Sequence, residues 1–268
     1  MGSVDIRDQS RELLVLKSRP YREQDRLLTL LSAEKGVEKA IARAAEKPSS
    51  SLRPIAQPYS RVSLLLSPAK GGLSFVREGL LLESFLPLDA GLERLSYAAY
   101  FAELTLSVAQ PEQSAPGLYG LLLAAWTLLR LDRQPERSAR FFELRLLAEQ
   151  GLLPSLDACG ACGACAAPLC SGLAEPQRDF LLSPSRGQLL CAACQGGSPE
   201  AELHFSLLSP GALRSAESLL TLAFSRIPSL RISPRQNQEL EGALAAYLDY
   251  HLEYAPKARS FLRQIKYY

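Results

Sequence analysis

The chain has 268 residues, 47% of them hydrophobic and 22% charged, with 30 Lys and Arg against 28 Asp and Glu for a formal net charge of +2. That balance excludes a disordered chain and leaves enough apolar residues for a full core and more than one domain. The longest apolar run, "GLYGLLLAAWTLLRL" at 117–131, falls short of the roughly 20 residues a bilayer demands, and "MGSVDIRDQSRELL" places charges where a secretory signal needs an apolar stretch, so a cytoplasmic protein with no membrane partner is expected.

From residue 11 onward five runs of strand character follow one another: "RELLVLKSR", "RLLTLLS", "VEKAIARA", "YSRVSLLLS" and "LSFVREGLLLES". They are separated by "PYREQD", "AEKG", the long "AEKPSSSLRPIAQP" and "PAKGG". Five strands with one long connection fit a small closed barrel of the OB type, although a sandwich or an open sheet would give similar runs. The same part of the chain is basic: residues 1–80 carry 14 Lys and Arg against 9 Asp and Glu, and the remainder 16 against 19. Positive charge concentrated on one domain is the footprint of a phosphate-backbone binder, though basic loops are often merely solvated. Alternation in "VEKAIARA" puts Lys39 and Arg43 on one strand face, and "EKPSSSLR" adds Lys47 and Arg53 in a loop.

After residue 88 the pattern turns helical. "DAGLERLSYAAYFAELTLSVAQ" comes first and the apolar run at 117–131 reads as a buried helix. "PERSARFFELRLLAEQG" places Pro135 in a first helical turn and Gly151 at a C-terminal stop. Ser209-Pro210 opens another helix. Ser233-Pro234 opens a last one running to about Tyr254, with Gln236 completing a capping box.

All six cysteines lie between residues 159 and 194. In a reducing compartment such a cluster points to metal rather than disulfides. The clearest frame is Cys159 and Cys162 with Cys191 and Cys194, two CxxC turns able to aim four sulfurs at one tetrahedral structural Zn²⁺. The 28 residues between Cys162 and Cys191 exceed the usual zinc-ribbon interval, so part of that insert must loop out. A competing register begins with Cys162 and Cys165. Gly163 favours the first frame, because a metal knuckle needs a tight backbone. A thioredoxin-like redox site needs a single CxxC opening a helix, and a catalytic zinc needs an open position with a carboxylate or histidine base; His204 and His251 match no such motif.

"PYREQDRLLTLLSAEKG" followed by "AIARAAEKPSSSLRPIAQP" resembles the start of the RecO family of recombination mediator proteins, at Tyr21, Glu23, Asp25, Thr29, Gly36, Ala42, Arg43, Ser50, Leu52 and Pro54. The resemblance continues through the cysteine pair before Gly163, through "GQLLCAAC", and into "YLDYHLEYAPKARSFL", so it covers nearly the whole chain. Cys165 and Cys170 are extra to the four-cysteine frame, and Ala45 stands where Gly or Arg is frequent.

The resemblance implies an α+β multidomain protein: an N-terminal five-stranded OB-fold β-barrel followed by an α-helical domain with an inserted zinc-binding loop. The expected boundaries are 1–84 for the DNA-binding barrel, 85–158 and 201–268 for the two parts of the helical domain, and 159–200 for the four-cysteine zinc module. The implied activity is non-catalytic and takes place at the nucleoid. It comprises binding single- and double-stranded DNA without sequence preference, annealing complementary strands and, with RecR, helping to load RecA onto DNA coated by single-strand binding protein. Arg19, Arg22, Arg26, Lys35, Lys39, Arg43, Lys47 and Arg53 are the candidate phosphate contacts, with Tyr21 and Tyr59 as candidate base-stacking groups or core tyrosines. Lys257, Arg259, Arg263 and Lys266 form a second basic group. Arg130, Arg133, Arg137 and Arg140 could rim a pocket for the acidic tail of single-strand binding protein. A zinc-ribbon accessory or transcription factor is the alternative, and it lacks a recognisable helix for reading base edges.

Overall fold

The computed structural model describes residues 10–68, 73–86, 90–164, 166, 179–194 and 207–265. Cys165, Cys170, His204 and Lys266 lie outside these residues, as does part of the insert between Cys162 and Cys191. The chain forms two compact units, Met1–Arg130 with Pro256–Tyr268, and Leu131–Ala255.

In the first unit β1 (Arg11–Tyr21), β2 (Asp25–Ser32), β3 (Gly36–Ala42), β4 (Ser60–Pro68) and β5 (Leu73–Ser84) close into a barrel of order β1-β2-β3-β5-β4. Neighbours are antiparallel except β3 and β5, and β1 closes against β4. This is the OB-type barrel that the five apolar runs predict. Leu13, Val15, Leu28, Leu30, Ala40, Ala42, Val62, Leu64 and Val76 fill its interior, each in phase with its strand neighbours. The long β3–β4 connection contributes Ile55 and Ala56 from a 3-10 turn at Pro54–Ala56, so part of it belongs to the core.

Each open end of the barrel is closed by an arginine, a glutamate and a serine. At one end Arg11 makes a two-pronged contact with Glu38 at 2.6 and 2.7 Å, and Ser32 donates to the same carboxylate at 3.0 Å. At the other, Arg26 pairs with Glu46 and donates to Ser18 Oγ at 2.7 Å. Such pairs satisfy polar groups at the rim while the apolar interior stays dry.

The β2–β3 turn is docked against the segment before the second helix. Val37 N donates to Gln110 O at 3.2 Å, and Ala115 N and Ser114 Oγ both donate to Ala33 O. Gly36 adopts φ 63°, and a Cβ there would run into the carbonyl oxygens of Gln110 and Gln113. The helices of this unit are α1 (Gly91–Val108), α2 (Pro116–Leu131) and α6 (Lys257–Ile265). Trp126 on α2 is fully buried against Tyr59 and Phe85, and its indole N–H donates to Ala98 O on α1. Helix α6 packs on α1, where Glu103 accepts from Ala258 N at the positive end of the α6 dipole.

The second unit holds α3 (Pro135–Glu149), α4 (Pro210–Thr221) and α5 (Pro234–Leu252) with a small sheet of order β6-β8-β7-β9. Its strands are β6 (Ser155–Cys159), β7 (Phe180–Ser183), β8 (Gln188–Cys191) and β9 (Leu207–Leu208). Pro135, Ser209 and Ser233 start their helices, and the Ser233–Gln236 capping box is formed on both sides. The helix expected to run from Ser233-Pro234 to about Tyr254 is α5, which ends at Leu252; Glu253 takes a left-handed conformation, Pro256 follows, and a further helix, α6, begins at Lys257.

Candidate nucleic-acid interface and cysteine cluster

One rule of the barrel decides where its cations point. Successive strand residues alternate, so Leu13, Val15, Lys17 and Arg19 should share one face. A bulge between Val15 and Lys17 breaks that phase. Leu13 and Val15 remain in the core, while Lys17 pairs with Thr29 and Arg19 with Leu27, residues that alternate with the core positions Leu28 and Leu30. Lys17 and Arg19 are therefore on the outer face. Across β2, Thr29 pairs with Lys39 and Leu27 with Ile41, and Ile41 in turn pairs with Phe75 on β5.

The outer face of β1-β2-β3-β5 thus holds two adjacent rungs, Lys17–Thr29–Lys39 and Arg19–Leu27–Ile41–Phe75. Arg43, just past β3, lays its guanidinium 4.1 Å from the Phe75 ring centroid. Lys17, Arg19, Lys39 and Arg43 are all exposed. Lys17 had no distinguishing sequence signal, because only the bulge turns it outward.

The other candidate cations separate into groups. Arg22 occupies the β1–β2 turn in a left-handed conformation, 5.4 Å from the Tyr21 ring. Lys47 is held near that turn, since Glu46 N donates to Gln24 O and Ala44 N to Asp25 Oδ1 at 2.8 Å. Lys35 lies at the opposite end in the β2–β3 turn, and Arg53 heads the 3-10 turn that plugs the barrel. Arg26 is in phase with Leu28 and Leu30 rather than with the cationic face, and Glu46 and Ser18 hold it. Tyr59 is packed edge-on against Trp126, with burial pushing its hydroxyl pKa up, so it is a packing residue.

Two other basic groups come apart in the structure. Arg259 is buried, whereas Lys257 and Arg263 are exposed. Arg137 and Arg140 are buried and paired with Asp132 at 2.9 Å and Glu143 at 2.8 Å, and Arg130 pairs with Glu83, so these three do not offer the free rim expected of them. Arg133 remains exposed.

The four cysteines meet where the small sheet ends. Cys159 closes β6, Cys162 lies in the turn after it, Cys191 closes β8, and Cys194 ends a 3-10 turn. Gly163 N donates to Cys159 O with Gly163 at φ 71°, the tight left-handed knuckle that a β-carbon would disfavour. All four sulfurs lie within 4.8 Å of one another, and Cys162 Sγ is 3.6 Å from Cys191 Sγ. Tetrahedral sulfurs around a cation at about 2.3 Å would sit about 3.8 Å apart.

Burial pushes the Cys159 thiol up, but N–H donors of Cys191, Cys162 and Ala161 outweigh this and bring it down to about 6. Cys194 is pushed up to about 12, first by its contact with Cys162. Like charges this close repel, so a fully ionised set needs a cation among the sulfurs. The donor set and spacing fit a soft tetrahedral metal ion. His251 is not part of this cluster: its Nε2 bonds Pro184 O at 2.9 Å and its ring packs on Tyr247.

Comparison with known proteins covers both units. The family described as "Recombination protein O N terminal" matches residues 8–85, and "Recombination protein O C terminal" matches residues 90–260. The chain is 34% identical over 254 residues to the DNA repair protein RecO of Desulforudis audaxviator, covering 95% of this chain and 96% of that protein. It is 33% identical over 254 residues to DNA repair protein RecO of Moorella thermoacetica, at 95% and 90% coverage. With the same-named protein of Heliobacterium modesticaldum it shares 35% identity over 233 residues, at 87% and 81% coverage.

Proposed function

The chain belongs to the RecO family of DNA repair proteins, and from that premise we propose that it binds single- and double-stranded DNA through the outer barrel face and anneals complementary strands. The observation that carries this reading is the bulge-directed grouping of Lys17, Arg19, Lys39 and Arg43 on one outer face of β1-β2-β3-β5. Cations on a rigid sheet neutralise phosphates and release counterions, which gives affinity without sequence preference. Arg22 and Lys47 extend this face beyond the β1–β2 turn, and Lys35 and Arg53 are outlying contacts. Arg26 is assigned to closing the barrel.

Annealing follows from the same chemistry. Two strands held with their phosphate charge reduced repel each other less, and outward bases remain free to pair. No bond is made or broken in this role, and the chain's partners are RecR and single-strand binding protein, with RecA loaded as the consequence. That work places the protein at the chromosome in the cytoplasm; among the described residues no helix is long and apolar enough to cross a membrane.

Cys159, Cys162, Cys191 and Cys194 would hold a structural Zn²⁺, which pins two CxxC turns together and takes no part in DNA chemistry. The residues themselves fix β6 to β8 and set the ends of the small sheet.

The test is annealing of complementary oligonucleotides, one coated with single-strand binding protein, over a salt series. Wild type should accelerate annealing and lose the effect as salt rises. A folded Lys39→Glu/Arg43→Glu protein should lose annealing, and its single-strand salt slope should fall by about 1.4 for two lost phosphate contacts. An unaltered slope and rate in that variant would place the DNA elsewhere.

A further inference from the structure

The arginines of the barrel are held in several ways: Arg77 donates to Ser67 Oγ at 2.7 Å and Arg22 lies 5.4 Å from the Tyr21 ring. Arg11, Arg26 and Arg61 are each paired with a glutamate. Arg43 has no carboxylate partner among the described residues and instead lies on Phe75. A charge left unneutralised is unremarkable on a surface, but a large ring on the outer face of a strand beneath it is less so. Phe75 pairs with Ile41 on the outward side, and the next residue, Val76, is in the core. The ring is only half-buried, and the side chain lying on it, Arg43, is exposed.

Resting on the DNA-binding reading above, we propose that the Arg43–Phe75 stack is a base-stacking platform that selects unpaired bases, making single-stranded DNA the preferred ligand of this face. A guanidinium lying on a ring is a flat, cationic, π-compatible surface, and bases stack on arginine planes as they do on aromatic rings. A base can add to the guanidinium or displace it and stack on Phe75 itself. Either arrangement requires a base with an open face. In duplex DNA each base face is covered by its neighbours, so the platform gains nothing from a continuous helix. The surrounding cations do not discriminate in this way: Lys17 and Lys39 in the adjacent rung, and Arg19 in the same rung as Phe75, meet phosphates in either form. The face therefore has two separable parts, one that reads charge and one that reads whether bases are unpaired.

Stacking of one base is worth roughly tenfold or more in affinity. The experiment measures binding of the full chain to a single strand carrying 2-aminopurine and to a closed hairpin duplex of equal length. Wild type, Phe75→Leu, Phe75→Trp, Arg43→Lys and Lys17→Glu/Lys39→Glu proteins are compared, each checked for its unfolding transition. Phe75→Leu should weaken single-strand binding about tenfold, collapse the single-to-double preference and abolish the change in 2-aminopurine fluorescence on binding. Phe75→Trp should retain all three properties.

Arg43→Lys keeps the charge on an exposed side chain but loses the plane, and it should lower the same preference even if Phe75→Leu fails to fold. Equal weakening of both DNA forms by Phe75→Leu or Arg43→Lys overturns the platform and leaves the cationic face standing. Wild-type binding of both forms by the Lys17→Glu/Lys39→Glu protein removes the face itself.

Discussion

The barrel and the cysteine-bearing sheet are both small β structures, and they are held by different physics. The barrel has five strands of 7 to 12 residues in a closed ladder, with an apolar interior and an Arg–Glu–Ser closure at each end. The other sheet has strands of two to five residues. Phe180, Leu182 and Leu189 give it one buried side and Leu181 and Leu190 are buried on the other, but strands this short seldom hold a register unaided. In the barrel, surface charge is free to serve binding because stability resides elsewhere. In the small sheet, a metal held by the four cysteines would make the reactive groups the stabilising groups.

Metal removal should separate the two most strongly. Structural zinc in small sites supplies on the order of 10 kcal/mol to local folding. A chelator, or a Cys159→Ala/Cys191→Ala change, should release about one metal per chain. It should also erase hydrogen-exchange protection at Gly160 and Cys191 and along the β7–β8 ladder. Amides of Leu28 and Leu30 in the barrel should keep theirs. Equal protection of the small sheet with and without metal would show that its apolar packing suffices.

The barrel's own weak point is a turn rather than its core. Gly36→Ala would force a β-carbon toward two carbonyl oxygens at a positive φ and break the docking of Val37 onto Gln110. The cost should be about 3 kcal/mol in urea unfolding, with metal content unaltered. A change under about 0.5 kcal/mol would mean the 110–115 segment gives way easily.

This contrast was unevenly legible in the sequence. The barrel strands could be read because each apolar run is long enough to show alternation and is bounded by turn residues; the helix starts could be read from Pro135, Ser209 and Ser233. The four clustered cysteines were visible as two CxxC pairs, and Gly163 marked the knuckle that the structure contains. Strands of two to five residues around those cysteines carry no period to detect, so the sequence there shows only a loop.

The site was harder to read because facing is a property of register. Lys17 and Arg19 reach the outer face only through the bulge after Val15, and a bulge has no required residue type. Arg26 looked equivalent to Arg19 in sequence, yet the pleat sends it to the barrel rim and to Glu46. Arg137 and Arg140 looked like surface cations and are buried with acidic partners instead, because charged side chains enter a core only as pairs.

The smallest expected effect concerns the Arg11–Glu38–Ser32 closure, and it distinguishes the barrel from the cysteine sheet by its pH response. Burial would push the Glu38 carboxyl up, but Arg11 and Ser32 outweigh burial and hold it below the usual glutamate range. A carboxyl lowered in the folded state binds its proton more weakly than in the unfolded chain. Its stabilising contribution is therefore complete above the unfolded value of about 4.3 and fades as pH falls through the lower folded value. Glu38→Gln should cost about 1 kcal/mol at pH 7 and bring the variant and wild type together in acid below that range. Thermal unfolding at both pH values checks this. A gap that persists undiminished in acid would mean that Glu38 acts by its shape and hydrogen bonds to Ser32, not by its charge beside Arg11.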